Sequence, residues 1–246
     1  MTNNNEYLII MPTFNEADGI SIMLNKLLET VSSTVDILVV DDSSPDGTSD
    51  VVANFVADYP NIKLMTKNED KGFAKAYISG FKYALENGYK YVIQMDADGS
   101  HQPKFLPYMM ALTGQYNYII GSRWTTGGSV VNWPFRRLLL SKGGNLYFRI
   151  MLGARIKDAT GGFKIISTEL LKKMNVSTIE SQGYSFQIEL LLRALDAGAD
   201  VTEYPIEFIE RENGVSKMSK KIIVEAMKYV TLVGLKRVFK GKNEIS

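Results

Sequence analysis

Four apolar runs, at residues 7–11, 35–40, 62–66 and 91–95, constrain this chain more than anything else in it, because amphipathic helical spacing separates each from the next. Strands that are apolar throughout belong to sheets covered on both faces, and strand–helix alternation implies parallel pairing with crossover connections. The first strand is expected to stop at Pro12. A helix with inward positions Ile20, Met23, Leu24, Leu27 and Leu28 should follow it. After the second strand, the turn at 43–48 leads into a helix with Asp46 or Thr48 as its cap. Gly72 should open a third helix that ends near Asn87 and Gly88. A helix from about Pro103 and a strand at 118–120 complete this half.

Ligands of such sheets sit outside the carboxyl ends of the strands. Acidic residues fall there: Glu16 after the first strand, Asp41 and Asp42 after the second, Asp96 and Asp98 after the fourth. Carboxylates at i and i+2 lie on one face of a strand, so Asp96 and Asp98 can reach one cation. A hard divalent ion held by one or two carboxylates keeps positions open for phosphate oxygens. An Asp-x-Asp pair alone also describes a solvated acidic turn, but three acidic strand ends on one rim describe a cation-dependent nucleotide site. The first turn, Pro12 to Glu16, has no Gly-x-Gly-x-x-Gly pattern, and no Walker-type Gly-Lys-Ser/Thr loop occurs. Carboxylates, a metal and basic side chains must therefore hold the nucleotide.

With 246 residues, 45% of them hydrophobic, the chain can bury the core of one large α/β domain. A net charge of +1 gives no overall field directed at nucleic acid, and none is expected as a partner. Charge is uneven, however. Lys217 to Lys242 carries a run of Lys and Arg broken only by Glu225, which makes residues 219–246 a basic amphipathic helix and tail after a domain spanning 1–218. Cysteine is absent, which excludes disulfides and thiolate metal sites and fits a reducing cytoplasm. Residues 1–6 lack the features of a signal peptide, and no apolar run reaches the roughly 18 residues that span a bilayer. The expectation is a protein that is soluble or rests on a membrane.

Eight short motifs in fixed order resemble glycosyltransferase family 2 with its GT-A fold, and within it the polyprenyl-phosphate (dolichyl-phosphate) mannose synthases. They are Met11 to Glu16, Val39 to Thr48, Met95 to Asp98, Gly121 to Arg123, Arg137 to Asn145, Asp158 to Phe163, Gly183 to Gln187 and Arg211 to Lys217. The resemblance implies an α/β, Rossmann-like, mostly parallel sheet with helices on both faces and a C-terminal interfacial helix. It implies inverting transfer of mannose from GDP-mannose to a polyprenyl (dolichyl-type) monophosphate, with Mg²⁺ or Mn²⁺. By matching position, Pro12, Phe14, Glu16, Val40 and Asp42 line the guanosine pocket. Asp96, Ala97 and Asp98 hold ribose, diphosphate and metal, with Asp98 the principal ligand and Ser100 beside the ion. Arg123, Arg211 and Lys217 contact phosphates, while Arg137 and Ser141 sit where the lipid phosphate is expected. Phe14, Gly99 and Ala74 depart from the usual pattern without removing a charged group.

An acceptor that is already anionic needs no general base, which agrees with a chain holding a single histidine. His101 is expected beside the site or on the surface, not as a ligand. Glu189 is either a catalytic carboxylate or a helix residue that orients the site. Residues 138–152 and the face formed by Ile222, Ile223, Ala226, Met227, Val230 and Val233 suit an anionic membrane surface; the alternative for the latter is packing on the domain. The resemblance thus implies peripheral attachment at the cytoplasmic face of a membrane, or a separate membrane-anchoring subunit. Rival readings are a glucosyl version using UDP-glucose, a Mg²⁺-dependent haloacid-dehalogenase-like phosphatase, a nucleotidyltransferase and a non-catalytic sugar-nucleotide module. The phosphatase needs a later acidic loop that the chain lacks, and the nucleotidyltransferase a glycine-rich basic opening.

Overall fold

The computed structural model describes residues 5–210, 227, 228 and 230–235. The four apolar runs become β1 (Tyr7–Thr13), β2 (Val35–Asp41), β3 (Ile62–Thr66) and β4 (Tyr91–Gln94). Between them run α1 (Ala17–Thr30), α2 (Thr48–Asp58) and α3 (Phe73–Glu86). The second half adds α4 (Leu106–Met110), β5 (Tyr118–Ser122), β6 (Ser129–Val131), α5 (Phe135–Leu152) and β7 (Lys164–Ser167). It closes with α6 (Thr168–Met174), α7 (Gly183–Asp196), β8 (Val201–Pro205) and β9 (Glu207–Ile209).

Seven strands form one sheet in the order β3-β2-β1-β4-β7-β5-β8, and β6 pairs with β9 in a small second sheet. All pairs of the large sheet are parallel except those of β7, which runs antiparallel to both neighbours. Alternation alone pointed to parallel pairing. The exception arises because the chain re-enters the sheet at Lys164 opposite Gln94, the last residue of β4, which brings Gly162 beside Asp96 and His101.

Alternate residues of β1 and β2 feed two cores. Leu8, Ile10, Leu38 and Val40 pack under α3, α6 and α7, whereas Ile9, Met11, Ile37 and Val39 pack under α1 and α2. Gly80 brings α3 directly onto β1, since a Cβ there would lie 2.5 Å from Ile10. A side chain at that position would push the helix off the sheet.

Three local expectations are corrected. β1 runs through Pro12 to Thr13. The Ile10 carbonyl faces β4 and accepts the Met95 amide; Pro12, two residues on, faces the same side past the end of β4, where no donor is needed. Asp46 and Thr48 do not cap α2, which follows Gly47 in the left-handed region (φ +87°). Asp46 instead takes the Thr48 amide and hydroxyl on one oxygen and the Ala17 amide on the other, tying together the starts of α1 and α2. The helix expected from Pro103 is a 3-10 turn at Pro103–Phe105 followed by the five-residue α4, because Pro107 lacks the N–H that would continue one α-helix from Pro103.

The boundary expected at 218/219 lies outside the described residues, as do Arg211, Lys217, Ile222, Ile223 and Ala226. Residues 227, 228 and 230–235 are helical. Val230 is buried in the core under α3, the Thr231 hydroxyl meets the Tyr147 hydroxyl at 2.6 Å, and Gly234 lies against Met151 of α5. This part of the tail therefore packs on the domain.

Candidate active site

Strand order turns back on itself around β1, flanked by β2 and β4, and this opens a crevice outside the carboxyl ends of those three strands. The β1 and β2 ends are stitched together beneath it. Asp41, fully buried, accepts from the Thr13 hydroxyl (2.8 Å), the Ser44 amide and hydroxyl (2.8 and 2.6 Å) and the Ser49 hydroxyl (2.8 Å). Burial alone would raise its carboxyl; these hydrogen bonds outweigh that and hold it below the ordinary range. Asp41 is thus a strut and not a rim ligand. Asn15 and Ser43, in the loops after β1 and β2, both sit in the left-handed region (φ 59° and 55°), a conformation that non-glycine residues adopt at a cost.

On that frame Phe14 is exposed and Pro12 and Glu16 are half-buried. Asp42 accepts the Gly72 amide on Oδ2 (2.7 Å), while its buried Oδ1 has no hydrogen-bond partner among the described residues. An acceptor left in that state suits a ligand donor such as a base or ribose hydroxyl. Val40 has no exposed surface; its side chain lies in the core below the crevice and does not line it.

Asp96 and Asp98 follow β4 in a bend, so strand alternation does not place them. Loop contacts do. Asp96 Oδ1 accepts from the Tyr77 hydroxyl (3.2 Å), and the Asp96 amide donates to His101 Nδ1 (3.0 Å). Burial, and then the Asp96 charge, push the Tyr77 hydroxyl well above its usual range, so it remains a donor. Because His101 Nδ1 is an acceptor, the imidazole is not an ion-pair partner of Asp96 despite its proximity; it lies buried, stacked on Phe163. Asp98 Oδ1 accepts the Ser100 amide (3.0 Å) across Gly99, whose φ of +80° only glycine adopts freely. Ala97 is buried, as is Ser100, whose Oγ has no hydrogen-bond partner among the described residues.

Among the described residues no three His, Asp or Glu side chains converge to hold a metal by themselves. The part-exposed pair Asp96 and Asp98, all oxygen and at a nucleotide crevice, fits a hard divalent cation whose remaining positions go to phosphate oxygens.

On the basic side of the site, Arg123 and Arg137 are both paired with carboxylates of the protein. Arg123 is buried and bonded bidentately to Asp158, Nε to Oδ2 at 2.8 Å and Nη2 to Oδ1 at 2.7 Å, and its amide also donates to Oδ2. Nη2 reaches Thr160 as well, and the guanidinium lies 5.5 Å from both the Trp133 and Phe208 rings. Burial is the largest single influence and works to raise the Asp158 carboxyl, but the Arg123 charge and the hydrogen bonds Arg123 donates, with a smaller part from Lys164, together outweigh it and hold it low. Glu203 anchors the other end by accepting the Lys157 and Asp158 amides at 2.9 Å. Arg137 pairs with Glu210 and lies 4.1 Å above the same Trp133 ring, so one indole gathers both arginines. Ser141 is half-buried on α5, one turn before Asn145, which fixes the helix to the rim loop by accepting the Ala159 amide (2.8 Å). Between α5 and the β5–β6 connection lies a cavity of about 570 Å³. Arg123, Lys142, Arg149 and Lys157 line it together with Trp124 and Leu138, and no carboxylate is among the described residues that line it.

Glu189 is buried and bonded to Arg193 (2.6 and 2.9 Å), which in turn holds the carbonyls of Asn175 and Thr178. That favours an orienting role over a catalytic one. The partners Asp158, Glu203, Glu210 and Trp133 were missed by sequence reasoning, since a buried carboxylate and a surface one look alike in sequence; the motif around Asp158 was the one available signal.

A pH test follows from Lys164, which is fully buried on β7, with Nζ 2.7 Å from Gln187 Oε1. Burial lowers its pKa to about 7, partly offset by Asp158. The unfolded chain keeps this proton up to about pH 10.4, so between pH 7 and that value it binds more protons than the folded one. Stability should rise across that window. Lys164→Met should melt several degrees above wild type at pH 6, with the gap closing toward pH 10. Thermal melts at both pH values check this, and a pH-independent gap would refute it.

The chain matches the sequence model for Glycosyl transferase family 2 over residues 8–174. It is 42% identical over 234 residues to an undecaprenyl-phosphate mannosyltransferase of Micrococcus luteus, covering 95% of this chain and 96% of that protein. It is also 42% identical over 231 residues to a polyprenol monophosphomannose synthase of Mycolicibacterium smegmatis, covering 93% and 87%. Among solved structures it resembles glucosyl-3-phosphoglycerate synthase from Mycobacterium tuberculosis in complex with Mn²⁺, UDP-glucose and phosphoglyceric acid (TM-score 0.65, 17% identity, 94% of this chain and 79% of that one). It likewise resembles a mannosyltransferase from Pyrobaculum calidifontis in complex with GDP-Man and Mn²⁺ (TM-score 0.56, 18% identity, 86% and 58%). The seven-stranded mixed sheet is the GT-A-like arrangement of these enzymes.

Proposed function

The chain belongs to glycosyl transferase family 2 and is a glycosyltransferase, and from that footing we propose that it moves mannose from GDP-mannose to a polyprenyl monophosphate, releasing GDP. The observation that carries this reading is the part-exposed Asp96 and Asp98 pair at the crevice where strand order turns back. Glu16 and Asp42 take hydrogen bonds from base or ribose, with the orphaned Asp42 Oδ1 as the support. Asp98 is the principal cation ligand, Asp96 assists it, and Ser100 closes the turn beneath. When bound, the divalent cation supplies Lewis-acid neutralisation of the departing diphosphate, worth several kcal/mol. Arg211 and Lys217, outside the described residues, are assigned to phosphates of donor or acceptor.

Arg137 and Ser141 receive the acceptor phosphate, and the neighbouring cavity, basic with an apolar rim, suits a phosphate on a greasy chain. Arg123 reaches that cavity, but Nε and Nη2 are engaged by Asp158 and Thr160, so its main part is to hold the rim loop and Trp133 in place. The phosphate being anionic, in-line attack requires no proton acceptor from the protein.

Incubating purified protein with Mn²⁺, a short polyprenyl phosphate and radiolabelled GDP-mannose, UDP-glucose and other nucleotide sugars tests this. Mannose label should enter the organic phase from GDP-mannose alone and be lost with chelator. Transfer from UDP-glucose only would move the assignment to the glucosyl reaction. Release of inorganic phosphate with no lipid product would revive the phosphatase.

No described helix is long and apolar enough to cross a membrane. Phe135, Leu139, Leu146 and Ile150 are exposed on one face of α5, with Lys142 and Arg149 beside them, which supports peripheral attachment to an anionic bilayer. Leu139→Glu with Ile150→Glu should weaken flotation with anionic vesicles by ~100-fold or more, since each side chain contributes about 1.5–3 kcal/mol when buried. Unchanged flotation would direct the search to a separate anchoring subunit.

A further inference from the structure

The cavity between α5 and the β5–β6 connection holds more positive charge than the reaction above uses. Lys142 and Arg149 are exposed, Lys157 is half-buried, and all three line it beside Arg123. Arg123 is neutralised by Asp158, but none of the other three forms an ion pair among the described residues. A single exposed lysine is ordinarily just solvated. Three uncompensated cations around one concavity instead focus a positive potential that favours an anion there. The volume of about 570 Å³ is that of a pocket for a whole small molecule, well beyond what one phosphate group fills.

The helix shows what kind of anion can reach it. Successive residues of an α-helix lie about 100° apart, so α5 presents adjoining strips. Arg137 and Ser141, assigned above to the acceptor phosphate, share one strip. Leu138, Lys142, Asn145 and Arg149 share the next and line the cavity. Phe135, Leu139, Leu146 and Ile150 share the third and are exposed, and Leu146 lines the cavity as well. The cavity thus opens beside the apolar strip, and neither Arg137 nor Ser141 is among the described residues that line it. With the apolar strip on a bilayer, its mouth lies at the level of the lipid headgroups.

We propose that this cavity takes the phosphate headgroup of an anionic bilayer phospholipid, with Lys142, Arg149 and Lys157 around the phosphate and the acyl chains along Leu146 and the apolar strip. This rests on the reading of α5 as the membrane-facing helix. Charge selects the headgroup class. No carboxylate among the described lining residues meets the ammonium of a zwitterionic lipid, and the Trp124 ring, which could take one, already has Lys142 Nζ 5.3 Å from its centroid. A free phosphate would meet the same cations but leave most of the volume and the apolar rim unused. The bound lipid is separate from the acceptor and fixes how the crevice faces the bilayer.

Titration calorimetry of the full chain tests this with four probes: short-chain phosphatidylglycerol below its micelle concentration, short-chain phosphatidylcholine, inorganic phosphate and a short polyprenyl phosphate. Phosphatidylglycerol should bind at one per chain, about tenfold or more tighter than phosphatidylcholine or inorganic phosphate, and polyprenyl phosphate should bind without displacing it. Each cation removed beside an anionic lipid costs about fivefold in affinity, so Lys142→Gln with Lys157→Gln should weaken phosphatidylglycerol roughly 30-fold. Arg149→Gln replaces Lys157→Gln if that protein does not fold. Wild-type affinity in the folded variant, equal affinity for inorganic phosphate, or displacement by polyprenyl phosphate would each overturn the proposal, the last by giving the cavity to the acceptor. A protein that floats with anionic vesicles but binds no phosphatidylglycerol in solution would sink the proposal and leave the membrane-facing reading standing. One that neither floats nor binds would sink both.

Discussion

Asp98→Ala is expected to abolish sugar transfer while leaving the melting temperature close to that of wild type. The side chain is half-buried and its Oδ1 accepts one amide, from Ser100, in a surface turn; losing such a bond costs about 1 kcal/mol. In the role proposed for Asp98, the substitution removes the cation's main anchor and with it several kcal/mol of charge neutralisation from the transition state. At about 1.36 kcal/mol per factor of ten, the rate should fall by ~10³-fold or more. Asp98→Asn separates the two effects, because it keeps an acceptor for the Ser100 amide and removes the charge. It should be as stable as wild type and nearly as inactive as the alanine variant. Substantial transfer by either variant in the organic-extraction assay would remove Asp98 from the proposed role.

Arg123→Ala should act mainly on stability. The family resemblance implies that Arg123 contacts phosphates, and its loss would then appear in the rate. The bidentate bond to a fully buried Asp158 changes that expectation. Breaking a buried pair from one side leaves an uncompensated charge and costs about 3–5 kcal/mol, or roughly 6–20 °C in melting temperature for a chain of this size. Arg123→Met combined with Asp158→Leu removes both charges and should recover much of the loss, which a double-mutant cycle measures. The pair's stabilisation should be complete above the ordinary carboxylate range and lost as pH falls through the lower folded value of Asp158. An Arg123→Ala protein that melts with wild type but transfers slowly would return the residue to direct phosphate binding.

The sheet's first half was legible because β1 to β4 are nearly continuous apolar runs, and strands buried on both faces leave that mark regardless of what lies around them. β7 escaped the strand reading because it is four residues long and begins with Lys164, a residue type seldom found inside. The acidic residues after β1, β2 and β4 were readable as a set. Their individual roles were not, since nothing in the order of residues tells that Asp41 is enclosed by hydroxyls while Asp42 keeps an oxygen without a partner. The arginines show the same limit at longer range. Arg123 meets Asp158 thirty-five positions away, and Arg137 meets Glu210 seventy-three away, so only the fold decides which cations remain available.

The most direct test is the anomalous scattering of Mn²⁺ in a crystal soaked with GDP-mannose. The expected result is a manganese peak at bonding distance, about 2.0–2.3 Å, from the Asp98 carboxylate, with both phosphates of the donor against it and the guanosine toward Glu16 and Asp42. A peak and a diphosphate seated away from the β4 tip would contradict the account.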